Sequence, residues 1–145
     1  MNASVNGFNT NVVATAGHYC LLAGTHAYHA QNVALSMLRL MTLVKESFLP
    51  PPHETRLPLI RAGIHTGPVA GCIVSLKFPL FTMLGDTVNT SARMNSKSKP
   101  FRVLLSEVTN QIVSTNFITE FAGVFNVKGK GDMKSAYLLP RIFYI

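Results

Sequence analysis

The sequence predicts an α/β fold, with helices packed over a mixed or antiparallel sheet, and three observations carry this. Short apolar runs of strand length alternate with stretches whose apolar residues recur at helical spacing. Gly- and Pro-containing breaks separate them. The 145 residues, 48% of them hydrophobic, suit one packed domain and leave little room for a second.

The elements follow in order. Residues 1–11 open rich in Asn, Ser and Gly and are expected to be frayed; residues 12–140 form the domain and residues 141–145 a tail. Residues 12–16 and 19–23 flank Gly17-His18 and read as a hairpin. From 28 to 48, Val33, Met37, Leu40, Met41 and Val44 fall on one helical face. Pro50-Pro51-Pro52 ends that helix, and the chain to Thr55 is a connection. Residues 57–65 and 69–74 read as two strands joined by a Gly67-Pro68 turn, and residues 81–84 as a third. A helix spans 86–95, with Asp86 at its start accepting backbone N–H bonds, a capping role placed ahead of metal binding. Residues 103–105 form a strand, and Ser106 with residues 109–113 a helix. Residues 117–127 and 134–139 form a last hairpin around Lys128-Gly129-Lys130-Gly131.

Composition excludes several classes. No run reaches the roughly 18 apolar residues of a membrane helix; residues 33–44 come nearest and are broken by Ser36, Arg39 and Thr42. No basic and then apolar leader opens the chain, so no signal peptide is expected. Cys20 and Cys72 make no disulfide framework and no zinc spacing, which fits reduced thiols in the cytoplasm. The net charge is +7, and Arg93, Lys97, Lys99, Arg102, Lys128, Lys130 and Lys134 crowd the later half. Such a segment suits a polyphosphate, an anionic surface or a nucleic acid. The aromatic and basic interleaving of single-strand binders is missing; composition does not choose among the three, and no nucleic-acid partner is expected only because the motifs below account better for the charge. A phosphate-cradling Walker loop also fails, because five residues rather than four separate Gly123 from Gly129-Lys130, and Gly131 replaces the Ser or Thr.

Three segments stand in order: GIHTGPVAG at 63–71, MLGDTVNTSARM at 83–94 and VKGKGDMKSAYLL at 127–139. HAQNVALSMLRLMTLVKESF at 29–48 precedes them. In wording, order and spacing they resemble roughly the C-terminal two-thirds of the class III adenylyl and guanylyl cyclase catalytic domain, with the guanylyl branch favoured. The likeness runs from about Val12 to Leu139. It implies an α+β, ferredoxin-like cyclase sandwich. It also implies conversion of GTP or ATP to a 3′,5′-cyclic nucleotide and pyrophosphate in intracellular signalling. The ribose 3′-oxygen attacks the α-phosphorus, so the protein must position the ribose and neutralise growing charge.

By position, the resemblance makes Asn89 the ribose-orienting residue and Arg93 the transition-state phosphate ligand. They are four apart on a helix and share a face. A guanidinium fork suits phosphate because it can donate two bonds. Lys128, with Lys130 as alternative, would neutralise the terminal phosphates. Thr82 falls where the family reads the purine; a hydroxyl both donates and accepts, so it leaves GTP and ATP open.

The departures matter as much. Nothing in residues 1–11 resembles the family's first strand with its metal aspartate. ATAGHYC at 14–20 takes the place of the second metal segment, with His18 where Asp would stand and Ala14 where a base reader would stand. Imidazole is a poor ligand for magnesium, which prefers carboxylate oxygen. The two magnesium or manganese ions expected in the family would therefore take their ligands from a partner chain. Alone, the chain should be inactive, about a thousandfold or more below a complete site. Two functions follow: one half of a cyclase working as a homo- or heterodimer, or a degenerate cyclase-like module that dimerises or holds nucleotide. A longer product carrying the missing strand upstream is a further expectation. Without that strand the sheet should lose a central member, expose unpaired backbone and self-associate. The expected location is cytoplasmic, at a membrane's cytoplasmic face if a receptor carries the domain.

Overall fold

A computed structural model describes the backbone of residues 8–16, 19–23, 28–47, 60–75 and 77–140, and the side chains of residues 28–47, 60–75 and 77–140. β1 (Phe8–Ala16) and β2 (Tyr19–Ala23) form the expected hairpin, with Ala16 opposite Tyr19. β1 begins at Phe8, so residues 8–11 are strand where a frayed segment was expected. The reason is non-local: Phe8 and Asn11 lie opposite Val69 and Gly67 of β3 (Ala62–Val74).

β3 is one continuous strand where two strands and a turn were expected. Pro68 has no N–H to give a ladder and is tolerated at bulges and edges. Here it falls beside the register shift between Phe8 and Asn11. Just beyond, β3 pairs with β4 (Leu80–Leu84) through Ala70 opposite Leu84. The Gly-Pro pair thus marks a change of partner.

β5 (Val103–Ser106), β6 (Thr119–Val127) and β7 (Gly131–Leu138) complete the sheet, in the order β2-β1-β3-β5-β7-β6 with β4 on β3. The β3–β5 pair is parallel and the others antiparallel, so the sheet is mixed. At residues 62–64, β3 has β1 on one side and β5 on the other. The gap expected beside it is closed by β1.

Two layers cover the sheet. On one face α1 (His29–Ser47) buries Ala30, Val33, Ala34, Met37 and Met41 against Ala62, Ile64, Val103, Leu105 and Leu138. Val113 of α3 (Glu107–Val113) joins them. On the other face Met94 of α2 (Asp86–Lys97) packs with Leu104, Val127 and Tyr137. Successive residues of a strand face opposite ways. Val103-Leu104-Leu105 therefore feeds both cores, which is why β5 reads as an uninterrupted apolar run. The start expected for the first buried strand, residues 57–59, lies outside the described residues.

Candidate active site

α2 carries the two residues around which the site is built, and small residues set its position. Gly63 lets the helix backbone approach β3 directly: a Cβ there would sit 2.1 Å from the Asn95 nitrogen. Thr87, Thr90 and Ser91 are buried on the inner face of α2. The Thr87 hydroxyl donates to the Pro68 carbonyl at 2.7 Å, seating the first turn on the Gly-Pro segment. The helix is not capped by Asp86 as expected. Gly85, at φ 145°, is the N-cap, no side chain caps it, and Asp86 is the first helical residue. Glycine tolerates that conformation, and it turns the chain from β4 straight into α2.

Asp86, Asn89 and Arg93 lie three and then four residues apart, so they form one outward stripe along α2. The β6–β7 turn comes over this stripe. An Arg93 Nη1 N–H donates to the Lys128 carbonyl. The Lys130 ammonium pairs with the Asp86 carboxylate. Of the expected set, Arg93, Lys128 and Lys130 are therefore brought together beside Asn89. Thr82 sits half-buried on β4 opposite Cys72, in the preceding strand. The side chain of Ala14, and all of His18, lie outside the described residues. Sequence reasoning missed the role of Asp86 as a partner for the turn; helical spacing puts it on the Asn89–Arg93 stripe but does not name its partner.

The basic residues do not form one patch. Arg102 lies 3.7 Å from Glu120 and Lys134 3.9 Å from Glu107. Lys99 and Arg102 sit over the Tyr137 ring at 5.9 and 5.6 Å. Arg102 and Lys134 thus face acidic partners away from the stripe, and the charge facing the stripe comes from Arg93 and the 128–130 turn.

Residues 4–140 match the family described as the Adenylate and Guanylate cyclase catalytic domain. The chain belongs to this family. It is 39% identical over 115 residues to Soluble guanylate cyclase 89Da of Drosophila melanogaster, covering 79% of this chain and 16% of that protein. Over 145 residues it is 33% identical to Atrial natriuretic peptide receptor 2 of Anguilla japonica, covering 95% of this chain and 14% of the receptor. The chain thus spans a small part of these relatives' length. Its fold is that of the guanylate cyclase domain of RhGC from Catenaria anguillulae, solved in complex with GTP, with a TM-score of 0.84 at 21% identity over 94% of this chain and 99% of that one. The non-canonical dimeric guanylyl cyclase domain of RhoGC from Blastocladiella emersonii gives a TM-score of 0.78 at 20% identity, covering 92% and 98%.

Cyclase chemistry uses divalent metal ions, and the described residues of this cyclase-family chain do not fit them. No group of three or more His, Cys, Asp or Glu residues converges among them. The acidic residues near the stripe are already engaged: Asp86 with Lys130, and Asp132 accepting from the Asn126 amide at 3.0 Å. Glu107 and Glu120 face the basic partners named above.

At the Asp86 end of the stripe lies a groove of about 590 Å³, lined by His65, Thr66, Gly85, Asp86, Thr87 and Lys130 among others, and not by Asn89 or Arg93. A second, apolar groove of about 610 Å³ between α1 and Phe117 is lined by neither the stripe nor the turn. His65 anchors a buried polar chain. Its Nδ1 is hydrogen-bonded to Ser106 Oγ at 2.7 Å, Ser106 Oγ to Thr109 Oγ1 at 3.1 Å, and Thr109 Oγ1 to Thr66 Oγ1 at 3.0 Å. Ser106 also caps α3 by accepting from the Thr109 N–H. Burial first, and then the Lys130 charge, lower the His65 pKa from 6.5 to about 4, with Asp86 opposing. The fold thus favours neutral His65. Its stabilisation is complete above the unfolded value and is lost as pH falls from 6.5 towards 4. The expected loss is on the order of 2 kcal/mol. Urea midpoints against pH should show this slope, and His65→Gln should flatten it; an unchanged slope in that variant would remove His65 as the cause.

Proposed function

We propose that this chain is one half of a purine nucleotide cyclase site, with GTP favoured over ATP. Asn89 orients the ribose, and Arg93 stabilises charge on the reacting phosphate. Lys128 neutralises the terminal phosphates, and Thr82 contacts the purine. The observation that carries this reading is the stripe with its turn: Asn89 and Arg93 share the outer face of α2, and Arg93 holds Lys128 to that face. A guanidinium has five N–H donors, so Arg93 can hold the turn and still donate to phosphate. The guanylate cyclase relatives and the GTP-bound Catenaria domain support the GTP preference.

The metal ligands would come from a partner half. Magnesium or manganese would there polarise the phosphate oxygens, while this chain's residues bind, orient and neutralise. A surface for that partner is available on the β3–β4 arm. Ile73, Phe78, Leu80, Phe81 and Leu84 are each more than half exposed there, at 69%, 80%, 62%, 65% and 54%. Ile73 and Phe81 are register partners on one face of the arm, Leu80 and Leu84 fall on the other, and exposed apolar side chains on both faces mark the arm for contact with another protein. The isolated chain should therefore self-associate, and Phe81→Asp should shift it towards monomer in sedimentation; a monomeric parent chain would contradict this use of the arm. Location in the cytoplasm, alone or attached to a receptor, goes with this reading.

Titration with GTP and ATP, with and without manganese, tests it. GTP should bind, and Arg93→Ala should weaken the binding; a chain that binds neither nucleotide contradicts the proposal. The second reading, a degenerate regulatory module, is favoured by Ala14 and His18 at the metal segment. Nucleotide binding with no product in any heterodimer would support it instead.

A further inference from the structure

We infer that Asp86 is a positioning residue: through Lys130 it holds the 128–130 turn over α2 and so places Lys128 for a triphosphate. This rests on the reading above and sharpens it, because it separates two lysines that the sequence leaves interchangeable.

The turn is closed at its base, where Val127 pairs with Gly131, but its tip has little to hold it. Gly129 and Gly131 adopt φ +81° and +73°, and a Cβ at either would meet nothing within 4 Å. Lys128, Gly129 and Lys130 are exposed. Within the turn, the Lys130 N–H donates to the Val127 carbonyl at 2.8 Å. Glycines with open space around them supply neither packing nor a restricted backbone, so how the tip lies over α2 depends on outside contacts. Among the described residues two contacts set it, both from the α2 stripe: Asp86 takes the Lys130 ammonium, and Arg93 takes the Lys128 carbonyl. Both ends of the turn are thereby fixed two helical turns apart on one rigid element. The same pairing neutralises Lys130 against a carboxylate, and the Asp86 pKa is lowered chiefly by its hydrogen bond to Lys130. Lys130 is thus occupied in the resting arrangement. Lys128 is held by its backbone, and among the described residues its ammonium has no salt-bridge partner, which leaves it for a ligand.

A latch and a simple charge effect differ in sign. If the two side chains acted only through the field, Asp86→Asn would tighten GTP binding and Lys130→Met would weaken it. A latch requires both to weaken binding, by about fivefold each, and the swapped pair Asp86→Lys with Lys130→Asp to restore most of it. The experiment uses the full chain in two readouts: GTP affinity with manganese, and amide hydrogen exchange at Gly129 and Lys130. Faster exchange in both single variants, slowed again in the swap, together with parallel changes in affinity, is the expected result. Tighter binding by Asp86→Asn, or no restoration by the swap, overturns the inference. If the parent chain binds no GTP while exchange still follows the swap, the nucleotide reading fails. The latch then remains as a feature of the fold, and its role in placing Lys128 falls with that reading.

Discussion

Replacing Arg93 by Ala, in a dimer with a metal-competent cyclase half, is expected to lower turnover by about 100- to 1,000-fold while the domain stays folded. That is the usual loss when one preorganised donor to a charge-developing oxygen is removed. Arg93 is half-buried on the outer stripe of α2, and its hydrogen bond goes to the Lys128 carbonyl of an exposed turn, not into a core. The fold should therefore tolerate its loss. Arg93→Lys should recover little, because an ammonium lacks the planar fork. Turnover and the thermal midpoint should be measured side by side. A loss below about tenfold would remove Arg93 from the reacting phosphate. A large fall in the midpoint would instead make it a structural residue.

Gly63→Ala is expected to be the most damaging small substitution for stability. The new methyl would lie 2.1 Å from the Asn95 nitrogen, 2.6 Å from the Met94 carbonyl carbon and 2.6 Å from the Ser91 oxygen, all backbone atoms of α2. Backbone cannot rotate aside as a side chain can, so the helix must lift from β3. A cost of about 3 kcal/mol or more is expected, at or beyond the upper end of ordinary overpacking. Gly71→Ala is the control: its methyl would meet the Phe81 ring at 2.8 Å, and that side chain is exposed and free to turn. Urea unfolding of both variants checks the contrast. Equal stabilities would mean that α2 is not seated through Gly63, and the stripe would lose its reference to the sheet.

The fold was legible wherever the physics is local or repetitive. Val33, Met37 and Met41 gave α1 by spacing, and the structure buries them. The apolar stretch at 103–105 gave β5, buried on both faces. Gly67-Pro68 was misleading because its local chemistry favours a turn. Whether β3 continues through it depends on a bulge in β1 and on pairing with β4. Residues 8–11 looked frayed for the same reason: their polar composition says nothing of β3 lying alongside. Asn89 and Arg93 were legible as a pair because a helix converts a spacing of four into a shared face. The contacts of Asp86 and Arg93 with the 128–130 turn were not, because no sequence pattern links a helix start to a distant hairpin. Asp86 as first helical residue rather than cap follows from Gly85 taking the left-handed position.

The half-site claim is tested most directly by complementation. The chain is mixed with a cyclase half that keeps both metal aspartates but has its own phosphate arginine replaced, and cyclic GMP formation from GTP is followed with manganese present. Product should appear only on mixing and should vanish when the chain carries Arg93→Ala. Cyclic GMP no greater than the sum from the separate halves, across several such partners, would contradict it.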